Sequence, residues 1–324
     1  MNSSTSLCIF SGTIGRMVTV GKRWHDAAVV ERAMALFGSH LSVAGGLEKA
    51  LLKAQEYGFD SVQLFTKAPN QWAAKPIAPQ DAAMFRKTLR QSKLKKPTVH
   101  DSYLINLASP DDNLWRRSIE AFIDEVNRAE QIGAAYLVTH PGAHLDSGEE
   151  TGLAKVATAL DEVHRRCNEV KVRILLETTA GQGSSLGHQF EHLARILELV
   201  AEPKRLGVCF DTCHVFAAGY SLGTEADYHN TMREFDRLIG VSRIKVFHLN
   251  DSKKPRGSRV DRHEHIGRGC MGLEPFRFLV NDTRFQNRPM ILETAKEVLP
   301  ELGDMDCVNL AVLRGLIGRT AVPI

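Results

Sequence analysis

From residue 34 onward the chain alternates between two hydrophobic periods. Short apolar runs are each followed by a longer stretch with apolar residues three or four apart, the spacing of a one-sided helix. The strand-like runs are ALFGSHLS (35–42), SVQLFTK (61–67), PTVHDS (97–102), AAYLVTHPG (134–142), RILLETTA (173–180), LGVCFDTCH (206–214), IKVFHLND (244–251) and PMILETAK (289–296). Helical patterns such as GLEKALLKAQEYG, WRRSIEAFIDEVNRAEQIG and FEHLARILELV lie between them. Eight repeats with no break in composition predict an α/β protein folded as a single (β/α)8 barrel over 34–324. A doubly wound open sheet would use the same elements, but it gives no reason for where the polar residues fall.

From the third run on, every strand finishes in a side chain that can bind a metal: His100, His140, Glu177, Asp211 with His214, His248 and Glu293. Asp261 and His263 follow the seventh. A barrel opens the C-terminal ends of its strands onto one face, so these residues are expected to converge there. Burying so many ionisable groups together without a cation would cost more than a domain's net stability. Five histidines and four carboxylates suit zinc, or manganese or iron, better than magnesium, which favours oxygen donors. Nine ligands are too many for one tetrahedral ion and fit a cluster of two or three metals around a shared carboxylate. Asp211 and His214 serve one centre only if the strand breaks into a turn between them. Phosphoryl transfer, sugar isomerisation and amide hydrolysis all use such clusters, and ligand types alone do not choose among them.

Several blocks are specific enough to identify a family. HDSYLINLAS (100–109), HPGAH (140–144), ETTAGQGSSLG (177–187), GVCFDTCHVFAAGY (207–220), HLNDSKKPRGSRVDRHEHIGRG (248–269) and ILET (291–294) resemble, in order, the endonuclease IV family of abasic-site repair enzymes. The resemblance implies a TIM barrel holding three zinc ions at the C-terminal ends of its strands. The implied reaction is hydrolysis of the phosphodiester 5′ to an abasic site in duplex DNA, a step of base excision repair that leaves a 3′-hydroxyl and a 5′-deoxyribose phosphate. Carried over by motif, His100, His140 and Glu177 would bind the first zinc. Glu177 would bridge to a second, completed by Asp211, His248 and Glu293, and His214, Asp261 and His263 would bind the third. Glu177 would also orient the attacking water.

The same resemblance implies loops that part the duplex so that the abasic nucleotide can reach the metals. Tyr103 and Leu104 match such a loop, although a place in the core of an early helix is the alternative reading. The family's second-strand loop commonly reads FTKNQRQW, whereas this chain has FTKAPNQW (65–72), with Asn70 where the family carries an arginine. Asparagine is shorter and uncharged, so this part of the wedge is expected to be weaker. Trp72 is read as an anchor of the loop, in preference to a DNA contact. In SKKPRGSR (252–259), Lys253, Lys254 and Arg259 are expected to meet phosphates, or simply to face solvent. His40 matches a family position near the floor of the site and is assigned no metal.

Composition narrows the picture without redirecting it. The chain is 43% hydrophobic and 24% charged, as in a globular protein, and has no run of 18 apolar residues. A formal charge of +3 gives no broad basic surface, so DNA contacts must come from local loops. Six scattered cysteines form no disulfide framework and suggest a reducing compartment, the cytoplasm. Cys209 and Cys213, four apart, read as buried small hydrophobes rather than zinc ligands. No segment suggests an obligate protein partner, and a monomer is expected. Residues 1–33 are Ser/Thr-rich, with no acid before Asp26. They read as an extension, disordered or upstream of a natural start at Met34, in preference to a transit peptide. Two further functions compete: a sugar isomerase or epimerase on the same barrel, and a catalytically silent binder of DNA lesions.

Overall fold

A computed structural model describes residues 35–320, so the expectations for residues 1–33 lie outside the described residues. Eight parallel strands close into a barrel: β1 (Leu36–His40), β2 (Ser61–Leu64), β3 (Thr98–His100), β4 (Tyr136–Thr139), β5 (Arg173–Glu177), β6 (Leu206–Asp211), β7 (Ile244–His248) and β8 (Pro289–Leu292). Each pairs with its neighbour in sequence, and β8 returns to β1 with Gly38 opposite Ile291. A side chain at Gly38 would have its Cβ 2.8 Å from the Ser61 backbone, so the closing strand needs glycine there.

Around the barrel lie α1 (Leu47–Tyr57), α2 (Pro79–Gln91), α3 (Asp112–Ile132), α4 (Glu149–Arg166), α5 (Phe190–Leu199), α6 (Thr212–Ala218), α7 (Glu225–Leu238), α8 (Glu274–Asn281) and α9 (Met305–Leu316). Local signals set their ends. Asp111 caps α3 by accepting the Leu114 N–H at 2.7 Å, and Thr224 with Asp227 forms a reciprocal capping box on α7. Two short antiparallel pairs decorate the barrel top, Asp251–Ser252 with His263–Glu264 and Val298–Leu299 with Gly303–Asp304.

All eight predicted strands are present, but each is shorter than its apolar run. The second ends at Leu64 rather than residue 67 and the fourth at Thr139 rather than residue 142. The chain leaves the ladder where the loops begin, although hydrophobic and β-branched residues continue. Alternation along the strands divides the core in two. Val138, Leu175, Cys209, Val246 and Ile291 meet inside the barrel, while Phe37, Leu64, Leu176, Phe210 and Phe247 join the helices' apolar faces outside it. Among the described residues no helix is long and apolar enough to cross a membrane.

Candidate metal centre

The same two-residue alternation builds the site. His140, Glu177, Asp211, His248 and Glu293 each stand two residues beyond an inward-facing core residue: Val138, Leu175, Cys209, Val246 and Ile291. They are the next inward positions, where each strand reaches the barrel mouth. His100 ends β3 in the same way, two residues after buried Thr98.

Glu177 is at the centre and fully buried. Its Oε2 is 3.2 Å from both His100 Nε2 and His140 Nε2, and its Oε1 is 2.8 Å from His248 Nδ1 and 3.3 Å from His214 Nδ1. His248 Nδ1 also lies 3.1 Å from Glu293 Oε2 and 3.8 Å from Asp211 Oδ2. A third group gathers beside these: Asp261 stands 3.2 Å from His214 Nε2 and 3.2 Å from His263 Nε2, and the two ring nitrogens are 3.4 Å apart. The turn required between Asp211 and His214 is the start of α6. Asp211 is its N-cap, accepting the His214 N–H at 2.8 Å, so one carboxylate ends the strand and orients the histidine three residues on.

Charge balance in this cluster is unusual for a buried site. Burial opposes ionisation of Glu177, but the charges of His248 and His140 and the hydrogen bonds from His100 and His140 outweigh it, holding the carboxyl well below its usual range. Burial likewise opposes protonation of His100, yet the bond and charge of Glu177 push it up to about 10. Against the same opposition, Asp261 and Asp211 raise His263 to about 9. Asp211 moves up, through burial and the nearby Glu177 charge, with the histidines opposing. Carboxylates and histidines thus stabilise opposite charges on one another at the barrel mouth.

All nine sequence-predicted ligands are thus brought together. Cys209 and Cys213 are buried, and burial pushes the Cys213 thiol up to about 12 and Cys209 higher than an ordinary thiol. Glu149, His188 and His192 form a separate cluster beside α4 and α5. There His192 Nδ1 accepts the Gly187 N–H at 3.2 Å, which leaves the proton on Nε2, facing Glu149, and spoils the ring as a ligand.

Two buried amides at the centre escaped the sequence reading. Asn250 donates to Asp211 Oδ2 at 2.7 Å and accepts the Glu293 N–H at 2.9 Å. Gln63 touches His40, His248 and Glu293. Both are amides rather than metal-ligand types. For Gln63 the available signal was position, since it follows Ser61 by two and takes the inward place on β2 that ligands take on the later strands.

Above this cluster opens a cleft of about 630 Å³, lined by His40, Phe65, Pro69, Tyr103, Asp261 and Lys296 among others. Tyr103 is 69% exposed in the loop after β3, with its ring 5.5 Å from Phe65, so it is no core residue of a helix; Leu104 beside it is half-buried. Asn70 is exposed next to Pro69. Trp72 packs partly against the core under the Arg117 guanidinium, 4.3 Å from its ring centre, as an anchor would. Lys253, Lys254 and Arg259 are exposed on the loop leading to Asp261 and do not line the cleft.

Comparison with known proteins gives this geometry a lineage. Residues 51–306 match the family model of the xylose isomerase-like TIM barrel. A protein of Chloroflexus aurantiacus called probable endonuclease 4 is 52% identical over 285 residues, covering 88% of this chain and 99% of its own. The crystal structure of endonuclease IV from Thermus thermophilus superposes with a TM-score of 0.76 at 34% identity, covering 86% of this chain and 98% of that one. A D-tagatose 3-epimerase-like protein, 20% identical with a TM-score of 0.66 and coverage of 86% and 96%, shares the fold alone. With half of its residues identical along almost the full length of such a relative, the chain belongs to the endonuclease IV family of xylose isomerase-like TIM barrels.

Proposed function

We propose that the protein is a zinc-dependent DNA repair endonuclease that hydrolyses the phosphodiester 5′ to abasic sites in duplex DNA, leaving 3′-hydroxyl and 5′-deoxyribose phosphate ends. The observation that carries this reading is Glu177, whose two oxygens face different histidines at the centre of a nine-residue donor set, in a chain of this family.

The donor set fits zinc in type and in spacing. Arms of about 2.0–2.1 Å in a tetrahedral site put neighbouring ligand atoms roughly 3.3–3.4 Å apart. Donor separations of 3.1–3.4 Å sit near that edge, while His248 Nδ1 lies closer to Glu177, at 2.8 Å, and farther from Asp211, at 3.8 Å. His100, His140 and Glu177 would hold one ion; Glu177, Asp211, His248 and Glu293 a second; His214, Asp261 and His263 a third. Bound zinc supplies an acidified water at neutral pH and positive charge against the phosphate oxygens.

The remaining work belongs to the chain. Glu177, ionised in its ring of histidines, would serve two of the sites and orient the attacking water. Tyr103 and Leu104 enter the duplex from the cleft mouth with Asn70, and hold the space the abasic nucleotide leaves as it swings toward the metals. Lys253, Lys254 and Arg259 bind phosphates alongside. The protein acts as a monomer without an obligate partner, in the cytoplasm.

The test is an end-labelled duplex with one abasic site and zinc-replete protein. A single cut 5′ to the lesion with an extendable 3′-hydroxyl is expected. No cut by protein of verified zinc content would overturn the proposal and turn attention to sugar phosphates.

A further inference from the structure

We infer that Gln63 is a positioning residue that fixes the tautomer of His248 and so sets the metal affinity of the site that His248 shares with Asp211, Glu177 and Glu293. The inference rests on the metal reading above, and the donors and acceptors around Gln63 carry it. Glu293 Oε1 lies 2.5 Å from Gln63 Nε2, and an ionised carboxylate only accepts, so the amide nitrogen faces Glu293. The amide oxygen must then be the atom 2.9 Å from His248 Nε2. A carbonyl oxygen only accepts, so His248 carries a proton on Nε2. When neutral, it presents its lone pair on Nδ1, the atom that faces Glu177 Oε1 and Glu293 Oε2. The second amide hydrogen points to His40 Nδ1, 3.0 Å away.

The other histidines explain why this residue matters. In His100, His214 and His263 it is Nδ1 that is tied, to the backbone carbonyls of Asp101, Thr178 and Glu293 at 3.0, 2.8 and 3.2 Å, which leaves Nε2 for the metal. Main-chain acceptors survive any side-chain substitution. His248 is turned the opposite way, with Nδ1 inward, and its partner is a side chain. Gln63 is fully buried on β2, and with one amide it fixes both the His248 ring and the Glu293 oxygen that does not face the metal. Its loss would loosen two ligands of one site and leave the donors of the other two in place.

The experiment loads the full-length wild-type protein and the near-isosteric variant Gln63→Met with zinc, and measures metal content and competition against a chromophoric chelator. The expected result is that one of three zinc ions in the variant binds about 10- to 100-fold more weakly, with the other two unchanged. A variant that holds every ion with wild-type affinity overturns the inference alone. A wild-type protein that holds no zinc overturns the metal reading as well. Should Gln63→Met fail to fold, ¹⁵N-histidine spectra of zinc-loaded wild-type protein decide the matter: a His248 proton on Nε2 is expected, and one on Nδ1 defeats the inference.

Discussion

Ser102 donates its hydroxyl to the carbonyl oxygen of Pro69 at 2.7 Å, and the Tyr103 N–H reaches the same oxygen at 3.1 Å. The loops after β2 and β3, which carry Asn70 and Tyr103, are therefore one platform. From below, α3 holds its stem: Lys67 pairs with Asp124 and Glu125 at 3.1 and 3.3 Å, and Arg128 donates to the carbonyls of Thr66 and Lys75 at 2.7 and 3.0 Å. A platform ordered before DNA arrives does not lose that conformational freedom on binding. Replacing Ser102 with Ala removes one buried bond, worth roughly 1 kcal/mol. Affinity for abasic duplex, read by fluorescence anisotropy, should weaken severalfold while turnover at saturating substrate and zinc content stay as in the wild type. Unchanged affinity would mean that the loops act independently.

Glu177→Gln keeps the size of the side chain and removes its charge from among His100, His140, His214 and His248. The strand pairing of β5 is untouched, so circular dichroism should match the wild type. Incision should fall on the order of 10³-fold or more, in line with the loss of a positioned acid–base group combined with weakened metal binding. Turnover within tenfold of wild type would remove Glu177 from the mechanism.

Chelation tests the cations as a group. Cations at the centre would offset its buried carboxylates, and any ligand that binds the folded state alone stabilises it, by about 2.7 kcal/mol at a hundred times its Kd. Treatment with a strong chelator should abolish incision and lower Tm by several degrees without unfolding the barrel. Zinc should restore both. A Tm that ignores the chelator, measured by calorimetry with zinc content checked, would count against tight binding.

Much of this was legible because one rule, alternation along a strand, sets both the core and the site. Val246 and His248, or Ile291 and Glu293, share a face, so the apolar runs that define the barrel also aim the polar residues ending them. The helical start that joins Asp211 to His214 was legible only as a condition, since it depends on a cap that forms in three dimensions. Gln63 and Asn250 were not legible, because an amide becomes informative only when its partners are known. His263 reaches the cluster from a two-residue strand paired with Asp251–Ser252, too short to leave a hydrophobic period.

The basic loop separates phosphate contact from solvation. Lys253, Lys254 and Arg259 are exposed, and Arg259 is held in a left-handed conformation, φ 53°, with its N–H on the Ala217 carbonyl. Changing Lys254 to Ala should weaken binding to abasic and intact duplex alike and lower the slope of log K against log salt by about 1. A slope equal to the wild type would assign the side chain to solvent.

His164 gives a pH dependence far from the cluster. It lies in the last turn of α4, 2% exposed, and neither ring nitrogen has a hydrogen-bond partner among the described residues. Burial, reinforced by the charge of Arg205 and only partly opposed by Glu202 and Asp161, lowers it to about 4. Between pH 6.5 and 4 the unfolded chain therefore takes up a proton that the folded one refuses, and stability falls as pH falls through that window. Above pH 6.5 the imidazole is neutral in both states and this contribution is fully present. Metal loss in acid would act in the same direction, so the measurement must be a difference. Urea unfolding of wild type and His164→Phe at about pH 7.5 and about pH 5 supplies it, because both proteins keep the same nine candidate ligands. The wild type should lose on the order of 1–2 kcal/mol more than the variant over that interval. At the higher pH the variant should be as stable or more so, since a buried imidazole without partners is replaced by an apolar ring. Equal losses in the two proteins would mean that the His164 ring reaches water in the folded state.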